Sequence, residues 1–258
     1  MKNIMKSIGY EILHSKMIIR LYILFIALMV LVTVLNTDST GISGLLADNV
    51  TLPYEFQTFI VAIIVGIICG SDFPDKVANY EIMSGHSRVS IFLARALMAI
   101  GVAAILATVL SFVPIVFGNA VFKWGNKLVL SDVVIRNLLL FFPYVRIAAF
   151  MVVLTFLVKN PYVIMASGFV MMMGGSILGD MMQNGSNVFI SIYNMKLLCT
   201  YDGWSTYNLD PVKGIVEYNA YNSSVTTSLV LGTIIVSLLM TAFYLFMGYA
   251  LFRRDEMN

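Results

Sequence analysis

The chain has 258 residues, 59% of them apolar and only 12% charged, about half the charge of an ordinary soluble domain, which excludes a soluble globular enzyme. A formal net charge of +2, with no basic stretch interleaved with stacking aromatics, argues against a nucleic-acid partner. The two cysteines, Cys69 and Cys199, are too far apart in sequence and setting to outline a disulfide framework or a CxxC metal site.

Residues 1–16 are too polar to insert, yet Ile4, Ile8 and Ile12 recur every four positions while Lys2, Asn3, Lys6, Ser7 and Glu11 take the other side. This pattern predicts an amphipathic helix lying along the inner leaflet, where a plain basic flank is the alternative. An apolar run follows at 17–35, without the small-residue cleavage site of a signal peptide. Further runs at about 55–70, 90–118, 137–158, 161–180 and 227–251 are each taken as one crossing of ~30 Å of hydrocarbon. Six spans place both termini on one side of the membrane. Lys2, Lys6, Lys16, Arg20, Lys76, Arg88, Arg95, Lys159, Arg253 and Arg254 then fall on the N-terminal side, against Lys123, Lys127, Arg136, Lys196 and Lys213 opposite, so that side is cytoplasmic. The expectation is an all-α membrane protein with one domain over 1–258, in the plasma membrane.

The loop at 71–89 is the informative part. Asp72 can cap a helix, Pro74 is tolerated in its first turn, Asp75 sits near the positive dipole end and Gly85 can take the left-handed terminating conformation. A short helix over about 73–84 is predicted. Phe73, Val77 and Tyr80 fall at i, i+4 and i+7 on one side, with Asp75, Lys76, Asn79 and Glu81 elsewhere. Such an apolar edge suits either docking on a partner or packing on the chain's own bundle.

Gly85-His86-Ser87-Arg88, preceded by Asn79-Tyr80-Glu81, resembles the Gly-His/Tyr-Ser-Arg signature that ends the corresponding loop in ABC-2 type permeases, the membrane subunits of ATP-driven exporters. The resemblance extends to the N-terminal helix, the six spans, the Lys159-Asn160-Pro161 hinge, the long last external loop and the Arg253-Arg254-Asp255 tail. It departs at Lys76-Val77, where many members carry Gly-Thr. The resemblance implies that the short helix couples the chain to a cytoplasmic ATPase, with Asp72, Phe73, Asp75, Lys76, Val77, Tyr80, Glu81, Gly85, His86 and Arg88 as contact residues. It implies a permease pair, formed with a second copy or a paralogue, working with two ATPase subunits. No GxxxxGK[ST] phosphate cradle occurs in the chain, so ATP and its Mg²⁺ are expected on the partner, and no cofactor on this one.

Candidate substrate-path residues are fewer. Arg146 lies about eight residues into the fourth run, where a cation either faces an aqueous path or, if the span starts after Pro143, anchors the outer interface. Met171 and Met172, with Met173 beside them in the fifth run, are candidates for a flexible apolar lining, though lipid-facing or packing methionines are the more ordinary explanation. Trp204 and Tyr207 lie in the polar stretch 181–226, whose aromatics suit the water–headgroup boundary and a cap over the outer mouth. Gly66-Ile-Ile-Cys-Gly70 and Gly175-Ser-Ile-Leu-Gly179 permit close helix approach, within the bundle or across a dimer seam. His14 and His86 are the only histidines, and no HExxH, GxSxG or carboxylate pair appears, so neither a metal site nor a catalytic residue is expected. The function expected is export of an amphipathic peptide, antibiotic or lipid. A non-transporting sensor or immunity protein that binds a peptide externally is the alternative.

Overall fold

The computed structural model describes residues 2–36, 41–47, 54–70, 85, 87–182, 202–210, 214–222 and 225–255. In chain order the elements are α1 (Lys2–His14), α2 (Lys16–Asn36), α3 (Gly41–Ala47), α4 (Tyr54–Gly70), α5 (Arg88–Val121), α6 (Leu130–Leu139), α7 (Phe141–Val158), α8 (Pro161–Met182), β1 (Asp202–Asp210), β2 (Gly214–Asn222) and α9 (Thr227–Asp255). The described residues are helical apart from one two-stranded antiparallel ribbon and short connections. That ribbon lies within the stretch expected to be loop.

Among the described residues, four helical stretches are long and apolar enough to cross a membrane: Lys16–Asn36, Val89–Val121, Leu130–Val158 and Thr227–Arg253. Phe56–Gly70 and Pro161–Met171 are shorter apolar helices. The chain is thus a multi-pass membrane protein. The outer helices are built for lipid: α9 turns Thr233, Ser237 and Thr241 inward and exposes Leu231, Ile235, Leu238, Leu239, Phe243 and Phe246, the reverse of a helix bathed in water. Thr241 satisfies its hydroxyl by donating to Ser237 O at 2.7 Å, so burying this edge leaves no unmet donor there.

The core lies where α4, α5 and α7 meet. Ala96, Ala99, Ala103 and Ala107 form a fully buried stripe on α5 that lets its neighbours approach closely, and Ile60, Val61, Ile64 and Val65 of α4 and Ala148, Met151 and Val152 of α7 fill the space. Successive long helices run in alternate directions. Cys69 Sγ near the end of α4 lies 3.9 Å from Arg95 O near the start of α5, and Phe92 of α5 packs on Phe156 of α7 at 5.2 Å. We call the end that carries Gly70, Arg88, Val158 and Pro161 the lower end.

At that end the Lys159-Asn160-Pro161 hinge is a sharp helix–helix turn. Lys159 takes the left-handed conformation (φ 57°) and closes α7 with its N–H on Thr155 O. Asn160 Oδ1 then accepts the Tyr162 N–H at 3.0 Å, capping α8, with Pro161 at its first position. The reversal brings α8 back along α4. A Cβ on Gly70 would lie 2.8 Å from Pro161 Cβ, one on Gly66 would lie 3.3 Å from Met165 Cγ, and one on Gly168 would overlap the Ala62 methyl. The Gly66/Gly70 pair therefore serves a seam inside the bundle. Of Gly175 and Gly179 only the helical backbone is described.

At 34 residues α5 is ~51 Å long, well beyond the ~30 Å of a hydrocarbon core, so its ends need cover. The lower end is sheathed by α1. Ile4 is buried with Ile91 and Ala94, Ile8 and Ile12 pack on the core, and a Cβ on Gly9 would lie 3.4 Å from Met98 Cε. The predicted amphipathic stripe exists and packs on α5, with Ile4 buried and Ile8 and Ile12 half-buried, while Tyr10 and Leu13 stay exposed. The upper end is held by α3, which composition alone did not reveal. Ile42 N donates to Lys123 O at 3.1 Å, Ser43 N donates to Trp124 O at 2.6 Å, and Lys127 N donates to Ser43 Oγ at 3.2 Å. Gly41 makes this latch possible: at φ +75° it sits where a Cβ would collide with Lys123 O. Gly41→Ala is expected to open the latch at a cost of about 1–3 kcal/mol. Trp124 donates its indole N–H to Leu128 O inside it, so a red shift of Trp124 fluorescence in a Trp204→Phe background is the readout, and an unchanged spectrum counts against the latch.

Candidate functional site

The loop expected to couple the chain to a partner joins the bottom of α4 to the bottom of α5. Asp72, Phe73, Asp75, Lys76, Val77, Tyr80, Glu81 and His86, with the helix expected over 73–84, lie outside the described residues. The described part of the signature is Gly85, Ser87 and the start of α5. Gly85 has φ +89° with no heavy atom within 4 Å of a Cβ built on it, the left-handed conformation that its place after a short helix predicts. Ser87 is extended (φ −71°, ψ 141°) and caps α5, its hydroxyl accepting the Ser90 N–H at 3.3 Å while Ser90 Oγ donates to Ser87 O at 2.8 Å. Arg88 is the first residue of α5. Gly-His-Ser-Arg is therefore, in its local geometry, a left-handed glycine followed by a helix cap.

Both feet of the loop are rigidly seated. Gly70 abuts Pro161, and one turn above Arg88 the ring of Phe92 packs at tilted angles against Phe156, Tyr249 and Phe252 at centroid separations of 5.2, 5.7 and 5.8 Å. That aromatic knot ties α5 to α7 and α9. A displacement of the loop feet is thus passed directly to the helices of the core.

Of the expected substrate-path residues, Arg146 and Met171 have described side chains. Arg146 is only 8% exposed, on α7 among Tyr144, Ile147 and Ala148. α6 stands above α7, and Leu130–Val158 forms one nearly continuous helical stretch with Arg146 well inside it. Met171 is half-buried against the core and Met173 is exposed, and the Met172 side chain is outside the description. On β1 the Trp204 position pairs with Ala220 and the Tyr207 position with Glu217, and a separation of three places the two positions on opposite faces of the ribbon, their side chains likewise outside the description.

Two further arginines are interior: Arg95, which lies within the predicted 90–118 run, and Arg136, just before the 137–158 run, are each 6% exposed, on α5 and α6, and both are held by interactions within the protein, as is Arg146. The signal was available in part: Arg95 shares a helix side with Phe92 and Ala99, both buried, and a cation among such neighbours belongs to the bundle. Among the described residues no group of three or more His, Cys, Asp or Glu could hold a metal ion. Comparison of the chain with protein-family models, with curated proteins and with solved structures gave no match.

Proposed function

We propose that this chain is the six-span permease subunit of an ABC exporter, of the ABC-2 type it resembles, with both termini and the 71–89 loop in the cytoplasm of a cell whose plasma membrane it crosses. One observation carries the reading: the segment that bears the Gly85-His86-Ser87-Arg88 signature connects α4 and α5, the helices at the centre of the bundle. A partner that grips this loop holds the core of the permease. Export by a pair of such chains follows by rigid-body rocking: two ATPase subunits closing on ATP and Mg²⁺ press the loops, the push enters α4 and α5, and the angle between the two bundles changes. The aromatic knot around Phe92 carries α7 and α9 along with them.

The test is isolation of the chain from native membranes in mild detergent, with mass spectrometry of bound proteins and an ATPase assay. A stoichiometric subunit with a phosphate-binding loop and vanadate-sensitive hydrolysis is expected. A dimer that holds no ATPase overturns the proposal in favour of a peptide-binding sensor or immunity protein. A sharper expectation attaches to Arg88, the first residue of α5, which the resemblance gives as a contact of the ATPase. Arg88→Glu weakens co-purification about tenfold at low salt, and the deficit shrinks as salt screens the pair. Equal recovery at every ionic strength removes Arg88 from the contact.

A further inference from the structure

α5 belongs to two packing units. Its lower part joins the main core as far as Leu110 and Val113, whereas Ile115, with Phe112 beside it, joins a second, separate apolar cluster with Leu128, Val133 and Trp124. The change falls at Pro114. Proline has no N–H to return to the Leu110 carbonyl, and its ring crowds the turn below, so the helix bends most easily there. Just beneath, Thr108 Oγ1 donates to Ala104 O and Ser111 Oγ donates to Thr108 O, both at 2.7 Å. Hydroxyl bonds of this kind share carbonyls with the helix ladder and favour a bend in the same stretch.

The second leg of the upper cluster is built alike. α6 gives Val133 to that cluster and Leu139 to the main core. It stops at Leu139, and α7 starts at Phe141 with Pro143 in its first turn, where proline cannot return a bond to Leu139 O. On either side of that missing bond Leu140 N donates to Arg136 O at 3.2 Å and Tyr144 N donates to Leu140 O at 3.1 Å. Between its two legs the upper unit is tied to itself. Ile42 of α3, fully buried, fills the notch left by Gly118, where a Cβ would overlap its side chain, and the α3 backbone is latched to Lys123 and Trp124.

We propose that α3 and the chain from Ile115 to Leu139 form a hinged cap, which turns as one body over the core about Pro114 and Pro143. A unit that is tied together inside, and joined to the core through two helices each interrupted by a proline, has rotation about those prolines as its softest motion. The inference goes beyond the transport reading and stands without it. On the proposed topology the cap lies at the external end of the bundle, so its swing opens and closes the outer mouth.

The test is pulsed electron–electron distance measurement on the full chain in phosphatidylcholine nanodiscs, in a Cys69→Ala, Cys199→Ala background, with excess unlabelled chain to suppress distances between copies. One nitroxide sits at Leu231→Cys on α9, and its partner sits at Val121→Cys above Pro114 or at Ile105→Cys below it, all three positions being exposed. The Val121–Leu231 distribution is expected to be about twice as broad as the Ile105–Leu231 one, or split in two. Pro114→Ala, which restores the N–H, narrows it. Pro143→Ala does so from the other leg, because a body on two legs cannot turn when one is stiff, and neither replacement alters the Ile105–Leu231 distribution. A label at the exposed Val129→Cys broadens and narrows together with the one at Val121. Equal breadth above and below Pro114 in the parent overturns the proposal, as does a broad distribution that both replacements leave unchanged. A narrow Val129–Leu231 distribution beside a broad Val121–Leu231 one overturns it too, since it marks fraying at the end of α5 and not a cap moving as a body. No ATPase enters the measurement, so the outcome is independent of the partner.

Discussion

A chain carrying Phe73→Ala and Tyr80→Ala inserts and assembles its bundle like the parent, yet recovers almost no vanadate-sensitive ATPase when it is isolated. The two aromatics lie seven residues apart, on one side of the helix predicted over 73–84, and they are the largest apolar groups in the loop. Aromatic anchors at the centre of an interface are worth about 2 kcal/mol or more each, so losing both weakens association by about 10³-fold. The two feet of the loop are each closed by residues other than these. α4 ends at Gly70 against Pro161, and α5 begins with its own Ser87 cap and Ser90 return bond. Retention of a monodisperse bundle on size exclusion, with ATPase recovery at background, is the expected pair of results. Full ATPase recovery by the double variant sinks the coupling role of this loop.

The parts of this fold that the sequence made legible are those where one residue type answers one physical demand. Long apolar runs mark the helices because only a helix satisfies its own backbone in lipid, and the six runs coincide with α2, α4, α5, α6–α7, α8 and α9 to within a few residues, save that α6 begins seven residues early. Lys159-Asn160-Pro161 reads as a reversal because a left-handed cap, an Asn cap and a first-turn proline each have a local cause. What was not legible depends on pairing across the chain. Whether Arg95, Arg136 and Arg146 face loops or the interior depends on which helices surround them, which hydropathy does not encode. The latch of α3 on residues 123–127 uses backbone groups throughout, apart from the Ser43 hydroxyl, so no side-chain pattern announces it. The ribbon escaped for a related reason: its alternation is blurred by polar and aromatic residues at positions of both faces. Within the candidate site, Gly85 and Ser87 behave as their residue types demand, while the path residues were chosen by chemistry alone, with no local conformational demand to mark them.

The strongest expectation for the bundle itself concerns the α4–α8 seam. Gly168→Ala is expected to destabilise the protein by about 1–3 kcal/mol, far more than a methyl group costs on an open helix, because the new Cβ overlaps that of Ala62. Intrinsic helix propensity pulls the other way, favouring alanine by about 1 kcal/mol, so a net loss isolates the steric term. Ala62→Gly alone is expected to cost about 1 kcal/mol or more from propensity and the space it leaves. The two together return the contact to one methyl between two backbones, with its owner exchanged. The double variant should therefore recover most of the stability lost in Gly168→Ala, a coupling of at least about 1 kcal/mol in a double-mutant cycle. Thermal unfolding in detergent reads this out, and additive effects show that the helices are not in contact at this level. The seam matters beyond stability: Gly66 and Gly70 continue the line of Ala62 at four-residue intervals down to Pro161, at the foot from which the 71–89 loop departs. A bundle spread at Gly168 releases that foot, so Gly168→Leu should impair ATPase recovery even though residue 168 lies about two turns above the foot of the loop, and Ala62→Gly should restore less of it than it restores for Gly168→Ala.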